Sequence, residues 1–403
     1  MPDPKRDFRR LWAGQTISEI GSRITREGLP YTALLLLAAT PAQMGILAAA
    51  GSASVLVFSV AAGVIADRVR RRPLMIAADL ARALLLLSIP LAAKLGALSF
   101  AQLLGVSVAA GLLTVQFDVA YQSYLPALVP REDLFEGNRR LMMSASAAEI
   151  LGPGATGVLV QAVGAPFAIL IDSVSFLVSA VSVWIIRTPE PEPVPGLHDP
   201  LWREASEGAR AIARHPVLRA LAFRSVVAYF SMGTYFTLYL LYAIRVLHMS
   251  TGMLGFTISL GGVGSMAGAW LSKRLTVFPA GATFLGAALV QASAQFLTPL
   301  AASVPPRWAV ACMCLSQLIG DAAWTVYYVN ATTLRQSLVE AGLLGRVNGA
   351  MQLASRGVLP VGALAGGVAA GWIGVAPTLW AGAAGVLVSC LFLLPLRQRR
   401  EPV

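Results

Sequence analysis

Charge is what this sequence has least of. Asp, Glu, Lys and Arg make up 13% of its 403 residues, about half the share of a soluble domain. Lysine is confined to Lys5, Lys94 and Lys273, and the three histidines, His198, His215 and His248, lie far apart in polar connections. The sequence contains no G-x-x-x-x-G-K-[ST] loop and no H-E-x-x-H pair, which argues against ATP hydrolysis by that route and against a zinc hydrolase. An enzyme is therefore not expected, nor a cofactor, nor a metal. Cysteine is also scarce. Cys312, Cys314 and Cys390 all fall inside apolar blocks. Cys312 and Cys314, two apart on a helix, point to different faces and read as small buried residues, not as a disulfide or ligand pair.

Apolar residues fill the space that charge leaves. They are 56% of the chain and come in blocks of about 20, the length of one bilayer-spanning helix; residues 84–103 and 377–396 are examples. Lipid offers backbone N–H and C=O groups no partner, so such blocks must be helical. The net charge of +11 then reports membrane orientation, and a nucleic-acid partner is not expected. Spans are predicted near 9–37, 42–66, 73–94, 98–123, 138–163, 165–187, 217–245, 251–273, 278–301, 306–333, 345–372 and 374–396. Thr40-Pro41 is a cap followed by proline at the first helical position; Ser303 with Pro305 and Pro306 is a looser version. The basic start, MPDPKRDFRR, is expected to lead into a retained first span and not a signal peptide.

Placing both termini in the cytoplasm puts nearly all Arg and Lys on that side and leaves only Lys94, Arg245 and Arg307 outside, as the positive-inside rule requires. Arg187–Pro216 is the longest polar stretch. It begins as a proline-alternating spacer and continues as an amphipathic helix whose apolar face holds Trp202, Ala205, Ala209 and Ile212, suited to a membrane surface. It separates a six-span bundle, 1–187, from another, 217–403, with 188–216 as cytoplasmic linker. The halves echo each other. Asn138 and Asn348, Gly152 and Gly362, and Gly157 and Gly367 are each 210 positions apart, the mark of duplicated bundles. The expected fold is therefore all-α and integral to the membrane, with twelve transmembrane helices in two pseudo-symmetric six-helix bundles. Such layouts carry solute between the halves near the midplane.

Several segments resemble the major facilitator superfamily. GVIADRVRRRP, Gly63–Pro73, looks like its signature loop between spans two and three, with Arg70 where glycine is usual. ILGPGATG, Ile150–Gly157, resembles the Gly-Pro motif of superfamily drug/proton antiporters; its Gly152, Pro153 and Gly157 are helix-packing candidates. DVAYQSYLPALVP, IDSVSFLVSA and LLGRVNGAM are similar to the subgroup of the enterobactin exporter and macrolide efflux proteins. The resemblance implies a proton-coupled exporter of a small amphipathic molecule, monomeric, in a bacterial plasma (inner) membrane. Uptake of a nutrient or metabolite, or a non-transporting sensor, are the alternatives. It also implies a conformational lock of Gly63, Asp67, Arg68, Arg71, Arg72, Asp118 and Asn348. In it Asp67 meets the start of span eleven near Asn348, and Arg71 pairs with Asp118.

Ionised residues inside spans cost about 2.5–3.5 kcal/mol each and ask for a reason. Glu19, Arg23, Arg26 and Glu27 occupy span one. The spacing of four lets Glu19–Arg23 and Arg23–Glu27 pair along one face, either as a stripe toward the solute path or as a structural network. Span ten aligns Gln317, Asp321, Trp324 and Tyr328 on one face. Span seven offers Arg224, Tyr235 and Tyr239, where Arg224 either faces solute or snorkels. Span four offers Phe117, Tyr121 and Gln122. Each of these faces also fits ordinary helix packing. Glu27, Glu149 and Asp321 are the proton-coupling candidates. Asp79, Arg82 and Asp172 on peripheral spans are expected to be structural.

Overall fold

The computed structural model describes residues 4–130, 133–190 and 201–396, without the side chains of 55–57, 59–68, 127, 201–205, 276, 280 and 341. It is all-helical over these residues. The helices are α1 (Pro4–Leu35), α2 (Pro41–Arg68), α3 (Arg71–Lys94), α4 (Phe100–Leu128), α5 (Leu134–Val163), α6 (Ala165–Trp184) and α7 (Leu201–Arg214). Then come α8 (Pro216–Arg245), α9 (Thr251–Arg274), α10 (Ala280–Gln295), α11 (Leu297–Leu300), α12 (Pro306–Leu338), α13 (Ala341–Ile373) and α14 (Val375–Ser389). α10 and α11 run together as one span, and a 3-10 segment, Cys390–Leu396, extends α14. Among the described residues, nine helical stretches are long and apolar enough to cross a membrane. α1 and α5 are comparably long but interrupted by ionised residues, and α2 is only partly described.

Helix boundaries have local causes. Thr40 and Gln43 cap α2 reciprocally: the Gln43 N–H donates to Thr40 Oγ1 at 3.3 Å, and the Thr40 N–H to Gln43 Oε1 at 2.8 Å, a capping box. Ser99 Oγ accepts from the Gln102 N–H at the start of α4. α12 begins at Pro306, beyond the Ser303 signal.

Helix ends repeat at the offset seen in the sequence. α1 closes through Ala38 at φ 48° and α8 through His248 at φ 52°. The N–H of the following residue reaches back six positions in both, Ala39 to Ala33 O at 2.9 Å and Met249 to Ala243 O at 3.0 Å. Such a left-handed residue satisfies carbonyls the helix end leaves free. Gly164 and Gly374, at φ 85° and 91°, make the one-residue turns α5–α6 and α13–α14. Each pair is 210 positions apart.

The chain forms two compact units. One comprises Met1–Ala39, Ala53–Leu197 and Thr251–Gly255; the other Thr40–Ser52, His198–Ser250 and Phe256–Val403. In the first, α1 packs on α5 and α6, and α3 on α4 and α6. Phe8, Leu11, Met75, Phe117, Tyr124 and Ile186 belong to its core. In the second, α8 packs on α13 and α14, and α10 on α12. Each unit also holds the first turns of one helix whose remainder belongs to the other. α7 is docked on α13. Its Ile212 is buried in the second unit's core, and Glu207 pairs with Arg346 at 2.5 Å. Ala209, expected on the apolar face, is exposed, because the inward face runs through Gly208 and Ile212; the side chains of Trp202 and Ala205 lie outside the described residues.

Candidate functional site

In the first unit Arg23 and Arg26 of α1 find their partner on another helix. Arg23 Nη2 forms an ion pair with Glu149 Oε2 of α5, and Arg26 Nη1 stands 4.0 Å from Oε1 of the same carboxylate. The expected pairing along α1 is not what forms: among the described residues, neither Glu19 nor Glu27 ion-pairs with Arg23. The reason lies one turn beyond Glu149. A Cβ on Gly152 would lie 2.6 Å from Arg23 Cβ and 3.1 Å from its Cγ, so the bare glycine lets the arginine stem cross α5. Glu27 still senses Arg26, Arg23 and Glu149 electrostatically. Side-chain exposures are 18% for Arg23, 66% for Arg26 and 56% for Glu149. The cluster is accessible, unlike a sealed structural pair.

The Asp79–Arg82 pair of α3 is sealed, with side-chain exposures of 0% and 3%. Arg82 donates to Thr114 Oγ1 at 3.2 Å and lies over the rings of Phe117 and Phe176, at 4.6 and 4.0 Å from their centroids. Phe117 is thus buried under Arg82 and stacked with Tyr121 at 6.1 Å. Gln122 and Asp118 are exposed on α4. Asp172 accepts from Ser175 Oγ at 2.8 Å.

The lock residues are only partly visible. Gly63, Asp67 and Arg68 lie on α2, with side chains outside the described residues, and Asn348 is half-buried on α13. Among the described residues no ion pair joins Arg71 to Asp118. Instead Glu190 caps α3, accepting the N–H groups of Arg71 at 2.5 Å and Arg72 at 3.1 Å, where a carboxylate meets the positive end of the helix dipole. The Arg72 side chain donates to the carbonyls of Val183 and Trp184 at the end of α6. Asp7 fastens the same segment. It accepts from the N–H groups of Arg187 and Thr188 and from the Thr188 hydroxyl. Burial raises the Asp7 carboxyl, but these bonds and Arg10 outweigh it and hold it below the usual carboxylate range. At the start of α5, hydrogen bonds from Arg139 and Arg140 bring Glu136 down to about 2. A cavity of about 270 Å³ opens at this end, lined by Phe8, Arg9, Leu128, Asp133 and Arg140 among others, and includes none of the candidate residues.

In the second unit Arg224 is fully buried and does not snorkel. Its Nη2 donates to Gln291 Oε1 of α10 at 2.8 Å, and its guanidinium lies 3.7 Å from the Tyr327 centroid and 5.5 Å from that of Trp324. An aromatic face replaces water there. Trp324 also contacts Tyr229 and Tyr328, and Tyr328 is exposed. Asp321 stands against Gly261 of α9, where a Cβ would meet its carboxylate. Gln317 is half-buried on α12. Tyr235 and Tyr239 are buried; the Tyr235 hydroxyl donates to Thr298 Oγ1 at 2.5 Å, which bonds Ser316 at 3.0 Å.

The glycine motif has a second place. A Cβ on Gly157 would lie 3.0 Å from the Cα of Gly255, and one on Gly367 would lie 3.0 Å from the Cα of Gly45. α5 thus crosses the first turns of α9 inside one unit, and α13 those of α2 inside the other. Gly45 and Gly255 are again 210 apart and were legible by the offset already used. Glu190 was hidden in a segment read as spacer. Gln291 is one polar residue in an apolar block, and Arg356, exposed on α13, is an in-span charge that the reading of ionised residues passed over.

Two units of long apolar helices, an internal duplication and ionised groups gathered at a few contacts define a polytopic membrane transporter fold. The family model described as transmembrane secretion effector matches residues 2–401. The chain belongs to that family, and it is a membrane transporter of the major facilitator type. An uncharacterized MFS-type transporter of Bacillus subtilis (strain 168), YfiS, is 26% identical over 380 residues, covering 91% of this chain and 87% of that protein. Among solved structures, a bacterial homologue of the iron transporter ferroportin, in an inward-facing state, gives a TM-score of 0.78 at 16% identity over 98% of this chain and 99% of that one. The nucleoside transporter NupG gives 0.73 at 11% identity over 97% and 99%. These two show the shared fold.

Proposed function

We propose that the chain is a proton-coupled secondary transporter that exports a small amphipathic molecule across a bacterial plasma membrane by alternating access, its solute path opening to one side at a time. The observation that carries this reading is the accessible Arg23–Glu149 contact between α1 and α5. Ionisable groups inside a span mark ion or solute pathways, and this carboxylate and its two guanidiniums are open to approach. The outward direction is supported by the family's description as a secretion effector. Glu149 is the first choice of proton carrier, with Glu27 and Asp321 next. The substrate-facing groups are Arg26 in the first bundle and Trp324 with Tyr328 in the second. The bundles 1–187 and 217–403, joined by 188–216, act as its moving bodies, with both termini cytoplasmic, in a monomer. The lock of Gly63, Asp67, Arg68, Arg71, Arg72, Asp118 and Asn348 sets which side is open.

The test is transport into everted membrane vesicles driven by an imposed pH gradient. A protonophore should abolish it. Transport that continues unchanged in the protonophore without any ion gradient rejects the coupling. Inward movement of a nutrient is the competing reading, and the surplus of guanidinium at Arg23 and Arg26 favours it for an anion that travels with its proton. Depletion or accumulation of a labelled compound panel in expressing cells separates the directions, and a sensor would move nothing.

A further inference from the structure

We propose that Arg23 and Arg26 form a recognition site for the carboxylate of an amphipathic organic acid, and that Glu149 is the internal anion that fills it while solute is absent. Two guanidiniums converge on one carboxylate, and they are unequally used. Arg23 is in direct contact with Glu149, whereas Arg26 stands at 4.0 Å with two-thirds of its side chain exposed. Among the described residues, no other carboxylate lies within ion-pair distance of either. A guanidinium presents a planar fork of N–H donors that matches a carboxylate edge, so Arg26 holds unused capacity of the right geometry.

The site is built into the helix crossing. Gly152 leaves room for the Arg23 stem, since its Cβ would meet Arg23 Cβ at 2.6 Å. That aims the guanidinium back at Glu149, three residues earlier on α5. Gly152 is therefore a positioning residue for the arginine. Arg23 and Arg26 of α1 pair with Glu149, and Glu27 of α1 senses all three electrostatically. From α6, Asp172 is occupied by Ser175. The turns of α9 in this unit, Thr251–Gly255, carry no charge. A cationic solute approaching Glu149 meets two positive groups first. An anionic one meets Arg26.

A solute carboxylate and the Glu149 carboxylate want the same N–H groups and repel each other. Protonation of Glu149 removes that competitor, so acid and proton load together. This step rests on the proton-coupled reading; recognition of the anion does not. Solute and proton then move in the same direction, so a gradient that is acid on the side holding the solute drives the acid across, and a protonophore removes that drive.

The experiment uses the full chain in proteoliposomes with three labelled probe sets: amphipathic organic acids, their methyl esters, and amphipathic cations. An acid is expected to move while its ester does not, with KM rising as pH increases. Arg26→Gln, at an exposed position, should raise KM for the acid at least tenfold without loss of folded protein on size-exclusion chromatography. Glu149→Gln should keep acid transport and flatten its pH profile. Gly152→Ala should raise KM with little change in kcat. Transport of cations or esters but of no acid overturns the proposal, and so does acid transport indifferent to both Arg26→Gln and the double variant Arg23→Gln/Glu149→Gln. Acid transport that needs Arg26 but ignores protonophore and Glu149→Gln keeps the anion site and rejects proton coupling. Proton-coupled acid transport indifferent to Arg26 does the reverse.

Discussion

Gly157 and Gly255 meet backbone to backbone: a Cβ on Gly255 would lie 3.0 Å from the Cα of Gly157. Gly45 and Gly367 repeat the contact in the other unit, at 3.1 Å. No side chain intervenes at either crossing. Small residues allow such approach between helices in lipid, where packing and not the hydrophobic effect drives association. Each crossing joins helices from opposite halves of the sequence.

Alanine at Gly157 or Gly367 should therefore force its crossing apart. Overpacking of this kind costs about 1–3 kcal/mol. Each variant is expected to lower the melting temperature in detergent, and leucine to do so further. Unchanged melting and transport for both leucine variants would show that the crossings carry no weight.

The Asp79–Arg82 pair is buried, so breaking it should matter more than removing it. Arg82→Ala leaves Asp79 as a stranded buried charge, a loss of about 3–5 kcal/mol. The double variant Asp79→Asn/Arg82→Met is expected to recover most of that stability. A thermal-shift double-mutant cycle checks this, and equal melting of single and double variants contradicts it.

Gln291 is the hydrogen-bond partner of a guanidinium with no exposed surface. Gln291→Leu should destabilise the second unit, since a buried charged group loses a partner. Gln291→Leu/Arg224→Met should restore it. If Gln291→Leu alone is neutral, the Tyr327 face suffices to hold Arg224.

The end of the first unit carrying Asp7 and Glu136 should be acid-sensitive. Both carboxyls lie below their ordinary values of 3.8 and 4.5 when folded, with Glu136 at about 2. A depressed folded pKa contributes stability that is present above the unfolded value and lost as pH falls through the folded one. Melting should therefore be insensitive to these groups from pH 7 to 5 and decline below about pH 4. Asp7→Asn should remove part of that slope and should lower stability at neutral pH. A wild-type slope in Asp7→Asn refutes the assignment.

The lock gives a separate expectation. Asp67→Asn should keep the protein in the membrane at normal levels yet slow transport. Normal transport at normal expression would remove Asp67 from the mechanism.

Much of the fold was legible because the bilayer restricts the choices. Apolar runs of fixed length, proline and threonine at starts, and an offset of 210 between Gly157 and Gly367 sufficed for helices and duplication. The candidate site was legible only as a set. Spacing along α1 placed Arg23 between Glu19 and Glu27, yet its partner is Glu149, because Gly152 opens α5 to the side chain. The same holds for Arg224. Its position near a helix end suggested an escape to water, and a neighbouring helix supplied Gln291 and Tyr327 instead. On α9, Gly261, Gly264 and Gly268 pack close against α12.

The sequence by itself determined that this chain is helical, crosses a membrane many times and was built by duplication. Those properties follow from local hydropathy, backbone hydrogen bonding and internal repetition, which need no partner. The tertiary structure alone decided which ionised side chains meet. A charge inside a span must be matched, but several matches lie within reach of a long arginine. Which one forms depends on where two helices come close enough, and that is set at Gly152, a residue with no charge at all.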